Sequence, residues 1–558
     1  MIRIGNASGF YGDRFAAWRE MLAGGQLDVL TGDYLAELTM LILARDRARD
    51  PAKGYARTFL RQMETALGLA LDRGVKLVTN AGGLNPPALA EALHRLGTSA
   101  RIAVVTGDDV TDRCGGLAAN AYLGGFGIAE CLSAGADVVV TGRVTDASLV
   151  IGPAIAHFGW GREEYDALAG ATVAGHVIEC GAQATGGNFS FFTELPDRGR
   201  HPGFPIAEVS ADGSAVITKH PGTGGAVTVE TVTAQLLYEV GGPRYLGPDV
   251  VTHLDTATLE PDGPDRVRIS GVRGSPPPAT VKVGVNNLGG FRNAMTFVLT
   301  GLDIEAKAAL VRTQLTESVG EDGLEFRLAR TDHVDSGLTE TASALLHVFI
   351  RDQDLERAGR AFSQAAVELA LASYPGCTLT APPADATPYG VFTPAYLPQF
   401  AHRVVLPDGT SVGIPPPSRV DHGGGGRVAR SVVRQSHDHT GVREQSGPTR
   451  RVSLGTIVGA RSGDKGGDAN LGVWARSDAA YAWLRGFLTV DRLRELLDEA
   501  RDCPIERYEL PRLRAVNFVV TGLLGAGVAA STRFDPQAKA LGELLRGRLV
   551  DIPEEVLP

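Results

Sequence analysis

The chain has 558 residues, of which 44% are hydrophobic and 21% are charged, and its formal net charge at pH 7 is −10. Such a chain can bury more than one core, so we predict a soluble globular protein of two or three domains. The acidic balance argues against nucleic-acid binding, and no apolar run approaches the ~20 residues that cross a bilayer. The N-terminus lacks a secretion-signal pattern, so we expect a cytoplasmic protein without membrane partners.

The first third of the chain alternates predicted strands and helices. The segments "IRIGNASG", "VKLVTNAGG", "RIAVVTGDD" and "ADVVVTGRV" are each typical of a short strand that ends in a polar turn. This repetition predicts an α/β domain whose mixed or parallel sheet is covered by helices. Its ligand crevice would lie at the carboxyl ends of the strands.

The polar turns after these strands would meet around one cleft. They contain Asn6, Ser8, Gly9, Asp33, Asn80, Gly82, Gly83, Asn85, Asp108, Asp109, Arg143 and Asp146. For any single Asn or Asp the alternative is that it caps the following helix, while glycine relieves backbone strain. No turn carries a complete dinucleotide fingerprint or phosphate loop, so we predict neither NAD nor ATP as a cofactor.

The next region contains "GHVIECGAQATGGNFSFF", which we interpret as a β-like run ending at Glu179 and Cys180. Glu179 is the better acid/base candidate. Cys180 could act as a nucleophile, but the sequence shows no base beside it, and a buried structural thiol is the alternative. The five cysteines are scattered without a CxxC pair, which predicts neither disulfides nor a zinc site.

Lys219, His220 and Thr223 precede the glycines of "PGTGGAVTVE" and a helix-compatible segment. This arrangement predicts an anion cradle at a helix N-terminus. A β-turn with exposed basic residues is the alternative.

A segment rich in Pro, Gly, Ser and charge follows, and we place a linker or extended arm at 405–450, after a main domain at 1–404 with possible subdomains 1–158 and 159–404. It includes the triplet His437, Asp438 and His439. Without a further ligand this triplet is interpreted as linker, and we predict no metal site.

The last region, 451–558, contains two predicted strands, two helices, a third strand and a terminal helix. Its glycine-rich stretch "ARSGDKGGDAN" lies between the first two strands and is predicted to bind an anion through Arg461, Asp464, Lys465, Asp468 and Asn470. Alternatively, Gly463, Gly466 and Gly467 supply positive φ angles for a tight turn.

Five motifs together resemble the acyclic terpene utilisation protein A family: "IGNASGFYGD", "TNAGGLNP", "DVVVTGRVTDASLVIGP", "ECGAQATGGNF" and "ARSGDKGGDANLGVWAR". The resemblance covers nearly the whole chain. It implies a large α/β domain followed by a small α+β domain with a ferredoxin-like fold. It also implies branched acyl-CoA esters, or related carboxylated compounds, as the substrate class.

These substrates need an anion clamp, an apolar slot and an acid/base group. We therefore expect a lyase or hydratase without a cofactor, in which CoA enters only as part of the substrate. Glu179 or Asp146 would move a proton, Arg143 would hold a carboxylate or carbonyl, and the 461–470 loop would close over the cleft. The alternative is an acyl-CoA-binding or assembly subunit without catalysis. In either case we expect a homo-oligomer.

Overall fold

A computed structural model describes residues 1–197, 200–417 and 447–558. The chain divides into two compact units. The first comprises Met1–Val285, Phe392–Gly525 and Gln537–Pro558, and the second comprises Asn286–Val391 and Ala526–Pro536.

The first unit begins with the predicted alternation of strands and helices. The strands are β1 (Ile2–Asn6), β2 (Val29–Gly32), β3 (Lys76–Thr79), β4 (Ile102–Thr106), β5 (Ala118–Ala121) and β6 (Val138–Thr141). The helices are α1 (Ala17–Gly24), α2 (Glu37–Arg49), α3 (Arg57–Arg73), α4 (Pro86–His94), α5 (Thr111–Cys114), α6 (Phe126–Ser133), α7 (Ser148–Phe158) and α8 (Tyr165–Ile178). Among the described residues, no helix combines the length and the apolar character that crossing a membrane requires.

Five of these strands form the parallel centre of a mixed sheet, in the order β1-β2-β3-β6-β4. In β6, Val139 belongs to one apolar cluster, whereas Val138 and Val140 belong to another, and all three are fully buried. Short runs of β-branched residues buried on both faces are typical of a parallel sheet covered by helices. The predicted α/β main domain is therefore confirmed.

Antiparallel strands extend this sheet at both edges. The elements of this part are β7 (Pro205–Val209), β8 (Ala215–Lys219), α9 (Val229–Leu236), β9 (Arg244–Leu246), β10 (Val251–His253), β11 (Thr258–Pro261), β12 (Val267–Ser270), β13 (Arg273–Ser275), β19 (His402–Val405) and β20 (Ser411–Ile414). β7 pairs with β1, and β19 pairs with β4. The parallel centre therefore lies well inside the sheet.

Helix α8 corrects the interpretation of "GHVIEC" as a β-like run. This segment forms the end of α8, and Glu179 is the first residue after the helix. Residues 167–178 are all buried, so the sequence lacks the polar face that marks an amphipathic helix. Because a fully buried helix and a buried strand give similar apolar runs, periodicity alone cannot separate them.

The second unit has its own antiparallel sheet and apolar core. It contains most of β14 (Thr280–Thr300) and part of β18 (Thr387–Pro398), together with α10 (Ile304–Val319), β15 (Leu324–Ala329), β16 (Ser343–Asp352), α11 (Phe362–Glu368) and β17 (Thr378–Leu379). β16 lies between β14 and β15. Phe297, Leu346 and Phe362 are fully buried within this core.

Residues 447–558 contain the predicted α+β domain. Its elements are β21 (Thr449–Ser453), β22 (Val458–Lys465), β23 (Asp468–Ala475), α12 (Asp478–Phe487), α13 (Val490–Leu496), β24 (Ile505–Leu510), β25 (Ala515–Val520), α14 (Leu541–Arg546) and β26 (Leu549–Pro553). The four-stranded sheet has the order β22-β23-β25-β24. Strand β24 was missed because it is a largely half-exposed edge strand whose sequence, IERYEL, carries three charges.

This domain contacts the main domain through the β22–β23 hairpin. The backbone N–H of Glu239 donates a hydrogen bond to Asn470 Oδ1 at 2.8 Å, and Asn517 Nδ2 donates to the carbonyl oxygen of Val240 at 3.1 Å. Asn470 Nδ2 also donates to Asn517 Oδ1 at 2.6 Å, and both asparagines are buried. These amides fix the backbone that follows α9 against the C-terminal sheet.

Gly472 of β23 permits this close contact, because a Cβ atom there would lie 2.6 Å from Leu237 Cβ. We predict that Gly472→Ala lowers the free energy of unfolding by about 1–3 kcal/mol, the usual cost of overpacking. The control is Gly486→Ala in α12, where a Cβ meets no atom within 4 Å. It should raise stability by about 0.5–1 kcal/mol through helix propensity. Urea unfolding measures both, and an unchanged Gly472→Ala midpoint would contradict the tight docking.

Candidate functional site

The polar turns at the carboxyl ends of β1, β2 and β3 form one hydrogen-bonded network. Ser8 N donates to Asn6 Oδ1 at 2.7 Å, and Asp33 N donates to Ser8 O at 2.8 Å. Asn80 Nδ2 donates to Asp33 Oδ1 at 2.6 Å, while Tyr34 N donates to Asn80 Oδ1 at 2.8 Å. The network holds the Asp33 carboxylate at the centre of the sheet edge.

Three carboxylates converge at this edge, and we call Asp33, Asp146 and Glu179 the carboxylate triad. One oxygen of each lies within 4.8 Å of one oxygen of the other two. Asp33 and Glu179 are buried, with 3% and 6% of their surface exposed, whereas the Asp146 side chain is 27% exposed. The triad is therefore buried on two sides and partly exposed to solvent at Asp146, and we call its surroundings the cleft.

Burial and mutual repulsion dominate the electrostatics of the triad. Desolvation and the charge of Asp146 raise the pKa of Asp33 to about 8, and Arg143 opposes the rise. Desolvation also raises the pKa of Glu179 well above its ordinary value, with Asp146 and Asp33 adding to the shift. Burial and mutual repulsion therefore favour the protonated form of both carboxyl groups.

Arg143 supports the triad from within the protein. Its Nη1 donates to Asp146 Oδ1 at 2.7 Å and to the carbonyl oxygen of Leu35 at 3.1 Å, and its guanidinium stacks on the Tyr122 ring at 4.2 Å. Lys282 lies 4.6 Å from the centroid of the same ring. Arg143 thus already neutralises Asp146 of the triad. Less of its positive charge is therefore available to bind a substrate.

Cys180 follows the triad in the chain and has the chemistry of a buried thiol. Desolvation and the neighbouring Glu179 raise the pKa of its thiol well above the ordinary value. Because the thiolate is the nucleophile, this environment opposes nucleophilic catalysis by Cys180 at neutral pH.

The C-terminal domain brings two cationic side chains towards the same cleft. Arg461 of β22 is 6% exposed, and its guanidinium stacks on the Tyr238 ring at 4.4 Å. Its Nη1 donates to the carbonyl oxygen of Asn188 at 3.3 Å, whereas the buried Nη2 has no hydrogen-bond partner among the described residues. Lys465, at the end of β22, is exposed and donates from Nζ to the Glu239 carbonyl oxygen at 2.9 Å.

Glu239 is a cleft residue that sequence reasoning missed. It adopts a left-handed backbone conformation with φ 58°, which is uncommon for residues other than glycine. Residues in such conformations cluster at functional sites. Desolvation and the charge of Asp464 raise the pKa of its half-buried carboxyl to about 7. No motif surrounds it in "LLYEVGG", so only the backbone angle and its neighbours reveal it.

The glycines of the sequence motifs have different roles. Gly466 alone of the three hairpin glycines has a positive φ, at 66°, and forms the turn. Gly463 and Gly467 instead permit close approach of the Tyr238 ring and the Gly525 carbonyl oxygen. Gly9 has a similar role, since a Cβ there would lie 2.5 Å from the Cys180 carbonyl carbon.

Gly82 and Gly83 also have backbone roles. Gly82 approaches the Thr141 carbonyl oxygen, and Gly83 has φ 54°. Both glycines thus shape the turn that follows Asn80.

Several other predicted residues make structural contacts. Asn85 caps α4 through Ala88 N, and its Nδ2 donates to the carbonyl oxygens of Pro51 and Lys53. Asp109 accepts hydrogen bonds from Thr111. These two positions match the helix-capping alternative more closely than ligand binding.

Asp108 supports the site indirectly, because its Oδ2 accepts from the backbone N–H of Arg143 at 2.9 Å and from Asn120 at 2.8 Å. Asp468 in the C-terminal domain accepts from the backbone N–H of Gly522. Both carboxylates hold backbone segments in place.

The side chains of the predicted anion cradle near α9 make contacts within the protein. Lys219 forms a 3.0 Å ion pair with Asp265 and donates to the Thr223 carbonyl oxygen at 2.9 Å. His220 Nε2 lies 3.0 Å from the carbonyl oxygen of Met21, and Thr223 Oγ1 donates to the His220 carbonyl oxygen. These contacts occupy the polar atoms of the predicted cradle, but Lys219 and His220 are buried, so the alternative of a turn with exposed basic residues does not describe the segment either. The triplet at His437 to His439 lies outside the described residues.

Comparison with known families agrees with this architecture. The family model described as acyclic terpene utilisation family protein AtuA matches residues 2–406, and the model of the AtuA ferredoxin-like domain matches residues 452–551. The protein therefore belongs to the acyclic terpene utilisation (AtuA) family. The resemblance of the five motifs is confirmed, as is the ferredoxin-like C-terminal domain. No curated protein matches the sequence.

The unpartnered Nη2 of Arg461 gives a stability prediction. A buried donor without a hydrogen-bond partner costs about 1–3 kcal/mol, and an apolar side chain of similar size removes that cost. We therefore expect Arg461→Met to unfold at the wild-type urea concentration or above it. Arg546→Met is the control, because Arg546 donates to the carbonyl oxygens of Val458 and Ser190. It should lose about 1–3 kcal/mol. An equal loss in Arg461→Met would assign that arginine a purely structural role.

Proposed function

We propose that the cleft is the active site of a lyase or hydratase that acts on a branched acyl-CoA or a related carboxylated intermediate. The observation that carries the proposal is the placement of cations from one domain opposite carboxylates of another. Arg461 and Lys465 come from β22, whereas the triad belongs to the main domain. A carboxylated substrate fits between such groups, because its charge would complete a site that already holds a buried cation.

Both reactions need the same two contributions from the protein, namely proton transfer and stabilisation of negative charge. In a hydration, a base removes a proton from water, the water oxygen adds to the β-carbon, and the α-carbon receives a proton. In the corresponding cleavage, a base removes the β-hydroxyl proton, the bond between the α- and β-carbons breaks, and the α-carbon is again protonated. Negative charge develops on the thioester oxygen in each case, where nearby donors stabilise it.

Three carboxyl groups are in place for the proton transfers. Glu179 and Asp146 belong to the triad, and Glu239 accepts a hydrogen bond from Lys465 at its backbone carbonyl oxygen. Glu239 combines partial solvent access with a pKa of about 7, which suits a group that both accepts and donates protons at neutral pH. Arg461 and Lys465 would hold the anionic part of the substrate.

The first test measures ligand binding and then turnover. A ligand at a hundredfold excess over its Kd stabilises the native state by about 2.7 kcal/mol. We expect branched acyl-CoA esters to raise the thermal unfolding temperature of the wild type, and Arg461→Met to lose that rise. Free CoA and nucleotides are the control ligands for this comparison.

Glu179→Gln should keep the fold and reduce turnover by about 100-fold or more. Binding by the purified protein without turnover, followed by activity when partner enzymes are added, would instead favour a carrier or assembly role. Unchanged turnover in Glu179→Gln would remove this residue from the mechanism.

The second test uses the titration of Glu239. Because its pKa is raised to about 7, the carboxylate form needed for a general base is populated only as the pH rises through that value. We expect kcat/KM to rise with pH through about 7. In Glu239→Gln this limb should disappear and the rate should fall about 10²–10⁴-fold.

The control for this test is Glu230→Gln, which breaks an ion pair with Arg476 and leaves the cleft carboxylates in place. It should retain the wild-type profile. If kcat/KM of Glu239→Gln still rises with pH through about 7, the titration belongs to another group.

A further inference from the structure

We propose that strand β15, at the edge of the second unit's sheet, pairs with the β15 of a second copy of this chain, so that the two sheets join across a twofold axis. β15 pairs with β16 on one side. On its other side, no strand among the described residues continues the sheet. All six residues of the strand, Leu324–Ala329, are half-exposed. Such an edge offers unpaired backbone groups to another chain.

The hydrogen-bond pattern shows which backbone groups of β15 point outward. Arg351 N donates to the carbonyl oxygen of Gly323, the residue before β15, at 3.0 Å. Because bonded and non-bonded residues alternate in an antiparallel pair, the N–H and C=O groups of Phe326 and Leu328 point away from β16. Outside the β15–β16 ladder, neither N–H has an acceptor among the described residues. These groups are therefore available for a second ladder.

The edge lacks the features that usually prevent such pairing, which include proline, lysine and β-bulges. The sequence of β15, LEFRLA, contains neither proline nor lysine, and its pairing with β16 is continuous over all six residues. By contrast, β11, at one edge of the large mixed sheet, ends at Pro261. The edge of β15 is therefore open to another strand.

The charges of β15 select one register for the pair. The twofold axis must pass through a residue position, because an axis between two residues would pair side chains from opposite faces of the sheet. With the axis at Phe326, Glu325 of each copy lies opposite Arg327 of the other copy. Leu324 then lies opposite Leu328. An axis at Glu325 or at Arg327 would instead place like charges opposite each other, which is destabilising.

The side chains on both faces of the strand suit this register. Leu324, Phe326 and Leu328 pack against the apolar core of their unit and stay half-exposed. Pairing would bury the exposed parts of these side chains, which favours association. On the other face, Glu325 and Arg327 lie 3.3 Å apart, with 32% and 38% of their side chains exposed. Both charges are therefore within reach of the second copy.

The same strand of both copies forms this interface, so the assembly is a symmetric dimer with an isologous contact. It gives a specific form to the homo-oligomer that the sequence led us to expect. The inference does not rest on the proposed reaction, because it uses residues of the second unit alone.

The experiment measures the mass of the full-length protein by sedimentation at micromolar concentration. We expect a dimer for the wild type. Glu325→Arg and Arg327→Glu each place like charges opposite each other at two positions, so each should weaken dimerisation about 10-fold or more. An equimolar mixture of the two variants should recover the dimer, because every charge of one chain then lies opposite an unlike charge of the other.

Glu506→Arg is the matched control for the charge reversals. Glu506 is an exposed residue of β24, which is the edge strand of the C-terminal four-stranded sheet. Reversing its charge changes the net charge of the chain as Glu325→Arg does, but leaves β15 intact. This variant should sediment as the wild type does.

Phe326→Cys gives a second measurement that does not depend on charge. With the axis at this position, the two introduced thiols lie on directly opposite residues whose Cα atoms are about 5.5 Å apart, a separation that suits a disulfide. Mild oxidation should link two chains of this variant. Leu324→Cys should stay unlinked, because it lies opposite Leu328, and the wild type with its own five cysteines should also stay unlinked.

The outcomes decide the proposal and leave the proposed reaction separate. A monomeric wild type, or a dimer that both charge reversals leave unchanged, would overturn the interface. Loss of the dimer in both variants without recovery in their mixture would also overturn it, because altered folding would then explain the loss. Recovery in the mixture, together with linkage of Phe326→Cys alone, would establish the dimer whether or not the protein converts an acyl-CoA.

Discussion

The central constraint on this protein is the convergence of three carboxylates, two of them buried, at the carboxyl edge of a parallel sheet. Asp33, Asp146 and Glu179 lie within 4.8 Å of one another, with a single arginine bonded to one of them. Such a cluster destabilises the folded state unless protons, cations or hydrogen bonds compensate it. The surrounding chain supplies part of this compensation through Asn80, Leu35 N and Arg143.

The C-terminal domain is best understood in relation to this cluster. Its β22–β23 hairpin packs against the segment after α9, where glycine at Gly463 and Gly472 permits close approach of Tyr238 and Leu237. The same contact places Arg461 over Tyr238 and Lys465 beside Glu239. Docking the domain therefore adds two cationic side chains to the polar residues of the main domain.

The glycines of the glycine-rich hairpin have a structural purpose. The turn of the hairpin requires Gly466 for its positive φ, and the close packing of the hairpin requires Gly463. Backbone geometry and packing therefore explain both glycines. The contacts of Arg461 are incomplete, because Nη1 donates to Asn188 O whereas the buried Nη2 has no hydrogen-bond partner among the described residues. The turn and the anion-site interpretations of "ARSGDKGGDAN" are thus compatible.

The sequence by itself determined the α/β architecture, the C-terminal α+β domain and the family. Strand-turn-helix repetition is local, so short apolar runs ending in polar residues reveal it. It also indicated Asp146, Glu179, Arg143 and Arg461 as polar candidates. It misread α8 as a strand, because burial on all sides removes the helical period.

Only the tertiary structure decided which polar residues share one cleft. The residues Asp33, Asp146 and Glu179 are more than thirty positions apart, and a sheet edge brings them together. Glu239 stands out only through its backbone angle and its neighbours, which no local pattern records. Charge interactions depend on distance through space, and that distance is set by the packing of elements remote in the chain.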